Sequence, residues 1–482
     1  MNSARPTAAI GRRWQATAYA VAIVGGTLTS LFLLRIPVQL SDSFTEFLVM
    51  QDRSLREVVA EEFSGGPYFR PLRRGLIKVL FDLSGGHYSA WFRGFHALEL
   101  IALFVLVVRM FRVQSLAAAA AVPLLLAMIV GLHTFYDVLR EAFPVNHFLT
   151  IAICCVAAVN LAQSRGGVLV DLCAVALLAF AMLTIESGLL VWVVFVAAYI
   201  AGYRGISRPA LAALTAAFGF YFILRFVVLG GTIPAINERE TGFALAAANP
   251  EELKRLFGGD LWPFYIYNVL SAMSCVLFAE PRSGTWIFVR GALNNDLAPW
   301  QILGVLTSTL TTLLIARYAA LRFPKYRRLD LNDDDRLVML FIAILPANAA
   351  FAAVYAKDVI LSPAGIFYGV AAAVVLKQLL FEEVAARHTA IRGLAFAVTL
   401  VIACGWTIRA VGIHYRLREV AAVARDDWAY YDRWERRQDT DHVTTPAEKR
   451  VWQTLYDDAI WKRSPPPMID SRVANAWSDP LQ

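Results

Sequence analysis

The sequence predicts an all-α polytopic membrane protein, and three observations carry that prediction. Only 17% of its residues are charged and 58% are hydrophobic, with a mean hydropathy of +0.53, whereas soluble domains carry roughly 25% charged residues. Several uninterrupted apolar runs reach the length of about 20 residues that a helix needs to cross a hydrocarbon core. Inside lipid every backbone polar group must be paired within its own segment, so these runs are helices. Finally, Lys and Arg gather in the short loops beside the runs, the bias expected of cytoplasmic loops.

The runs fall near 17–37, 95–111, 116–134, 147–163, 168–184, 188–203, 209–229, 300–318, 337–355, 359–380 and 391–411, which predicts about eleven helices. Arg5, Arg12 and Arg13 hold the start of the first run in the cytoplasm, so that run reads as an uncleaved anchor. Counting from there, Arg109 with Arg112, Arg165, Arg204 with Arg208, the basic group 322–328, and Arg387 with Arg392 all fall in cytoplasmic loops. One further apolar stretch, residues 264–281, would turn 322–328 outward if it crossed the membrane. It is therefore expected to be a re-entrant or interfacial helix, which is permitted where protein buries the backbone.

This divides the chain into a membrane domain, residues 1–411, and an extracytoplasmic tail, residues 412–482. The membrane domain carries a first outer loop, 38–94, and a second outer segment, 230–299. In the tail, "TTPAEKRVW" predicts a helix start, with Thr445 as N-cap, Pro446 at the first helical position and Glu448 closing a capping box. The tail aromatics Trp428, Tyr430, Tyr431, Trp434, Trp452, Tyr456 and Trp461 suit either a membrane interface or packing against one another. The expected location is the plasma (inner) membrane. The net charge of +7 follows from the loop arginines and lysines and does not indicate a nucleic-acid partner. The five cysteines, Cys154, Cys155, Cys173, Cys275 and Cys404, lie in apolar runs without metal-ligand spacing and read as small buried hydrophobes.

Ionisable residues concentrate where odd-numbered helices reach the outer side. Asp42 and Glu46 follow the first helix at a spacing that shares one helical face. In "PYFRPL", residues 67–72, Arg70 stands between the pair Tyr68 and Phe69 and Pro71. In "HTFYDVLREAFPVNH", residues 133–147, Asp137 and Glu141 share a face with Arg140 beside them. Glu186 in "TIES" closes the fifth helix, where a buried carboxylate needs a partner. Each has a purely structural reading: a loop-helix cap at Asp42, a clamp at Arg70, a solvated face at Asp137 and Glu141. Their delivery to one side of the bilayer favours a shared site.

An acidic residue soon after the first helix, Phe69-Arg70-Pro71-Leu72, "FHALEL" leading into the second helix, the acidic stretch after the third and Glu186 after the fifth together resemble the GT-C superfamily of membrane glycosyltransferases. The likeness extends over about residues 17–230, and is to protein O-mannosyltransferases, bacterial aminoarabinose transferases and TPR-bearing transmembrane O-mannosyltransferases. It implies a GT-C-like bundle that transfers a sugar, with inversion, from a polyprenyl-phosphate donor to a glycan, lipid or protein acceptor at the outer face. Asp42 occupies the place of the family's catalytic base or metal ligand, Arg70 matches the arginine of its "YRPL"-like stretch, and His96 matches the histidine that opens its second helix. The sequence departs from the family at Ser43, where a second acidic residue is frequent, and at Glu99 and Ile185.

The residue chemistry supplies a matching division of roles. An Asp is a weak base unless burial or a neighbouring anion raises its pKa, and Asp137 and Glu141 either provide that repulsion or share a divalent ion. The candidate cofactor is Mg²⁺ or Mn²⁺, with Asp42 and Asp137 as candidate ligands. A departing lipid phosphate calls for a cation at headgroup depth; Arg70 is the leading candidate because its fork matches phosphate oxygens, with Arg140 and Lys357 behind it. Glu46, Tyr68, His96 and Glu186 are expected to support the site. Two other functions fit a polytopic protein: a transporter or flippase of a lipid-linked or anionic solute, and a non-catalytic assembly factor. Transporters place ionisable groups at midplane on interrupted helices, whereas here the carboxylates sit at helix ends.

Overall fold

The computed structural model describes residues 5–40, 42–65, 68–141, 145–231, 255, 262–278, 285–353, 358–379, 389–435 and 445–461, with side chains left undescribed at 5–10, 42–43, 285–287, 389–392, 429–435 and 460–461. The described residues form helices and no strand. Among the described residues six helices are long and apolar enough to cross a membrane, or seven when a pair bent by 76° is taken as one span. The expected count of eleven is not confirmed, because several of the predicted runs fold as apolar helices of 17 residues or fewer.

Helix α1 (Arg5–Leu33) packs along α5 (Tyr88–Phe111), and the intervening loop folds as three short helices, α2 (Asp42–Met50), α3 (Leu55–Glu61) and α4 (Pro71–Ser84). A capping box opens α3: Ser54 Oγ accepts from the Glu57 amide at 3.2 Å, and the Ser54 amide donates to Glu57 Oε2 at 2.6 Å. Helix α6 (Leu116–Gly131) turns at the extended residue Leu132 into α7 (His133–Arg140). Then come α8 (His147–Ala162), α9 (Val168–Thr184), a 3₁₀ turn (Glu186–Leu189), α10 (Leu190–Ile200) and α11 (Arg208–Phe222), which widens into a π turn (Ile223–Val228). The second half contains α12 (Trp262–Phe278), α13 (Thr285–Leu293), α14 (Pro299–Arg328) and α15 (Asp333–Phe351), followed by a 3₁₀ turn (Asp358–Leu361) and α16 (Ser362–Gln378). The last two helices among the described residues are α17 (Thr389–Glu435) and α18 (Pro446–Trp461).

The candidate span containing α16 is buried along its whole apolar window, which makes α16 the axis around which the bundle closes. Its small residues Ala364, Gly365, Gly369, Ala371, Ala372 and Ala373 let neighbours approach closely, the device by which helices associate when no hydrophobic gradient separates them from lipid. At Gly365 the approach is extreme: a Cβ there would lie 2.6 Å from Thr134 Oγ1, so α16 begins pressed against α7. The segment expected to be re-entrant is α12; Asn268 Nδ2 donates to the Ala353 carbonyl just past α15, and Thr312 Oγ1 of α14 donates to the Leu277 carbonyl.

The described basic loops around Arg112, Gln163 and residues 322–336 meet at one end of the bundle. Arg112 donates to Asp333 at 2.7 Å and to the Gln163 carbonyl at 2.7 Å, and Lys377 meets Asp334 at 2.6 Å. The opposite end is capped. There α2, α4 and α18 build a second small core around Phe47, Met50, Val58, Ile77, Phe92, Trp428 and Leu455. Trp428 is fully buried, donates Nε1 to the Val38 carbonyl at 2.7 Å and meets Phe44 edge-on. Of the two readings of the tail aromatics, packing holds for Trp428 and for Trp452 stacked on Tyr456 at 5.2 Å. The capping box of α18 forms as predicted, with the Thr445 amide donating to Glu448 Oε2 at 2.8 Å and the Glu448 amide to Thr445 Oγ1 at 3.2 Å. The boundary placed at residue 411 falls inside α17, one continuous helix that carries the chain out of the bundle.

Candidate functional site

The first polar group at the capped end is built on Arg70. Phe69 before it is buried against Phe63 and Tyr221, and Pro71 after it opens α4, so the backbone of Arg70 is held from both sides. Its amide donates to Glu62 Oε2 at 2.7 Å. Its guanidinium lies 4.3 Å from the Tyr68 ring centroid and donates Nη2 at 2.8 Å and Nε at 3.0 Å to Glu186 Oε2. Glu186 opens the 3₁₀ turn after α9, and that turn folds back so tightly that a Cβ on Gly188 would lie 2.0 Å from the Ala181 carbonyl oxygen. A second guanidinium, Arg225 on the π turn, reaches Glu186 Oε1 at 3.3 Å and donates to the Tyr221 hydroxyl at 3.1 Å. The wider π geometry is a common means of re-aiming a side chain at a functional site.

Beside this pair, Glu46 of α2 accepts from Arg73 at 3.3 Å and Arg74 at 2.8 Å, and Arg74 reaches Glu62 at 3.2 Å. Burial pushes the Arg73 guanidinium below arginine's usual pKa, and the Glu46 charge opposes the shift. Tyr68, Arg70, Glu46 and Glu186, all predicted from sequence, thus belong to one arginine–glutamate cluster.

The second group lies on α7. Arg140 meets Asp137 at 3.2 Å and Glu141 at 2.5 Å, so one guanidinium holds both predicted carboxylates. Its position comes from the backbone: the buried Arg93 donates to the carbonyls of Ile36, Pro37 and Arg140, tying the exit of α1 to the end of α7. His96 Nε2 donates to the Val138 carbonyl at 2.8 Å, which makes this histidine a brace of α7. The two groups hold different carboxylates: Glu186 and Glu46 on the Arg70 side, Asp137 and Glu141 on Arg140. The described ones among the predicted residues thus share one end of the bundle and fall into two groups, each carboxylate paired with its own guanidinium. Asp42 begins α2, but its side chain lies outside the described residues, as does Lys357 entirely.

Two further groups were not singled out from sequence. Arg409 on α17 donates to the carbonyls of Gly131 and Gly304 and to the hydroxyls of Thr307 and Ser308, with Trp406 4.2 Å beneath it. A charge inside an apolar run is itself a functional signal, and that signal was present. The other group is His133, Cys275 and Asp358: His133 Nε2 lies 2.9 Å from Cys275 Sγ and 3.8 Å from Asp358 Oδ2, and Cys275 Sγ lies 3.7 Å from Asp358 Oδ1. Asn348 fixes the turn that carries Asp358, donating to the Ile360 carbonyl and accepting from the Ala364 amide. No local pattern announces this group, since its members come from α7, α12 and the turn before α16. Cys275 is thus buried as expected but is a polar participant, whereas Cys173 and Cys404 are exposed on outward helix faces instead of buried. Lipid solvates such faces as well as protein does.

The chain matches no protein-family model, no curated protein and no solved structure. What the site can do therefore rests on its own chemistry: paired guanidinium groups for an anion, carboxylates for proton transfer, and a mixed-donor triad for a metal.

Proposed function

We propose that the protein is an integral membrane glycosyltransferase that moves a sugar from a polyprenyl-phosphate donor to a glycan, lipid or protein acceptor, with the capped end on the extracytoplasmic side. The observation that carries this reading is the Arg70–Glu186–Arg225 group. Arg70 commits Nε and Nη2 to Glu186, while its Nη1 makes no hydrogen bond among the described residues. That leaves a charged donor for a phosphate oxygen, held in place by a carboxylate and an aromatic face.

In this reading Asp42 takes the proton of the acceptor hydroxyl. The acceptor oxygen forms its bond to the sugar carbon as the bond to the phosphate oxygen breaks, with inversion, and the electron pair leaves on the phosphate. Arg70, with Arg140 and Lys357 behind it, meets that developing charge. Asp137 and Glu141 hold Arg140 and sustain the negative field near the base. A divalent cation, Mg²⁺ or Mn²⁺, bound by Asp42 and Asp137 would supply the same charge compensation. His96 braces α7, and Tyr68 and Glu46 orient the arginines.

Mass spectrometry of lipids copurifying with the full-length protein tests the class. A polyprenyl-phosphate sugar is expected, and the purified protein should transfer that sugar to an added acceptor fraction. Asp42→Asn should abolish transfer in a protein that still inserts and elutes as wild type. Movement of the same lipid across sealed vesicles with no glycosidic bond formed would instead establish a transporter.

A further inference from the structure

We propose that His133, Cys275 and Asp358 form a zinc site. The three side chains offer an imidazole nitrogen, a sulfur and a carboxylate oxygen, all within 4.8 Å of one another. They are secluded, with side-chain exposure of 10% for His133 and 8% for Asp358, and with Cys275 wholly buried. Around a tetrahedral Zn²⁺ with ordinary bond lengths of about 2.0–2.3 Å, neighbouring ligand atoms stand about 3.3–3.6 Å apart. Here His133 Nε2 stands 2.9 Å from Cys275 Sγ and 3.8 Å from Asp358 Oδ2, while Sγ stands 3.7 Å from the other carboxylate oxygen, Oδ1, so the set lies near that spacing with the carboxylate presenting both oxygens.

The same three residue types also make a nucleophile–base–acid relay, and the geometry decides between the two. A relay runs in line, with the acid on the ring nitrogen that does not face the nucleophile. Here His133 Nε2 is the atom near both Cys275 Sγ and Asp358 Oδ2, so the three donors surround a common point. Thiolate and imidazole select zinc over the harder Mg²⁺ and Mn²⁺. Among the described residues the site has three protein ligands, the number that zinc sites with a catalytic role carry.

Contacts outside the triad hold its scaffold. Leu132 turns the chain so that His133 heads α7, Gly365 and Thr134 press α16 against that start, and Asn348 locks the turn bearing Asp358. Asn268 bonds the Ala353 carbonyl and so holds α12, with Cys275, against the end of α15. Binding converts the Cys275 thiol to a zinc-bound thiolate and releases its proton to solvent, so affinity rises with pH. The inference is independent of the transferase reading.

The test uses full-length protein in detergent, stripped with chelator and reloaded with Zn²⁺ or Co²⁺. Wild type should retain one zinc per chain through desalting, and cobalt should give a thiolate-to-metal charge-transfer band that excess Mg²⁺ does not remove. Loss of an outer-shell partner alone costs about 10–100-fold in metal affinity, so Cys275→Ser and His133→Gln should exceed that, with Asp358→Asn also weakening binding. Wild type that binds no zinc, or a cobalt spectrum without a sulfur band, overturns the proposal whether or not the variants fold. Retention of the metal and its spectrum in a folded Cys275→Ser protein overturns it too.

Discussion

Arg70 grips Glu186 through two nitrogens, at 2.8 and 3.0 Å, joining residues 116 positions apart. The pair welds the segment between α1 and α5 to the end of α9, and Arg225 adds the π turn after α11 to the same carboxylate. Replacing Glu186 by Gln should cost about 1–3 kcal/mol, the usual penalty for leaving a partly buried charge without its partner. A double-mutant cycle on Arg70→Met and Glu186→Leu, followed by thermal unfolding in detergent, should show the two effects coupled. Simple additivity would mean that the ion pair contributes nothing.

Gly188→Ala tests how Glu186 is aimed. A Cβ 2.0 Å from the Ala181 carbonyl oxygen cannot be accommodated without moving the turn, and such overpacking costs about 1–3 kcal/mol. Under the transferase reading the variant should also raise the KM for the lipid donor, because Arg70 loses its carboxylate. A melting curve identical to wild type would show that the turn relaxes freely.

Arg140 holds both Asp137 and Glu141. Arg140→Gln leaves two acidic groups in one place and should destabilise the protein by about 1–3 kcal/mol. Adding Asp137→Asn and Glu141→Gln should recover most of that loss, since the repulsion goes with the charges. Unfolding temperatures of the single and triple variants decide it.

Trp428 fastens α17 to the exit of α1. Trp428→Ala should cost about 3–5 kcal/mol, as for other large buried aromatics. Trp428→Phe keeps one aromatic ring but removes the hydrogen bond to Val38 and part of the buried indole, and should cost less, about 1–3 kcal/mol. Hydrogen exchange should accelerate through α2 and α18 in the Ala variant while α16 stays protected.

The two ends of the bundle should lie on opposite sides of the membrane. In a background without native cysteines, Lys325→Cys is expected to react with an impermeant maleimide only after vesicles are opened from the cytoplasmic side, and Glu61→Cys only from the other. Labelling of both from one side would overturn the assignment of the capped end.

The all-helical membrane character, the gathering of basic loops at one end and the start of α18 were all legible along the chain, because hydropathy, charge and capping act over a few residues. Thr445, Pro446 and Glu448 needed no distant partner to specify a helix start. Glu186 was recognised as a carboxylate in want of a partner, but its partners stand in α11 and the first loop, and nothing near residue 186 says which. Arg409 carried a readable signal in its apolar run. His133, Cys275 and Asp358 carried none, as each is unremarkable among its neighbours.

By itself, then, the sequence determined the all-helical, apolar character of the chain, which loops are basic and where charged residues cluster, since these follow from short-range energetics and from the solvent each segment meets. Only the tertiary structure decided who pairs with whom. It gave Glu186 to Arg70, Glu46 to Arg73 and Arg74, and Asp137 with Glu141 to Arg140, made His96 a brace and placed a buried cysteine in a triad that could hold a metal. Those outcomes depend on helix packing, where small residues at Gly188 and Gly365 set how closely distant segments approach and therefore which polar groups come within reach.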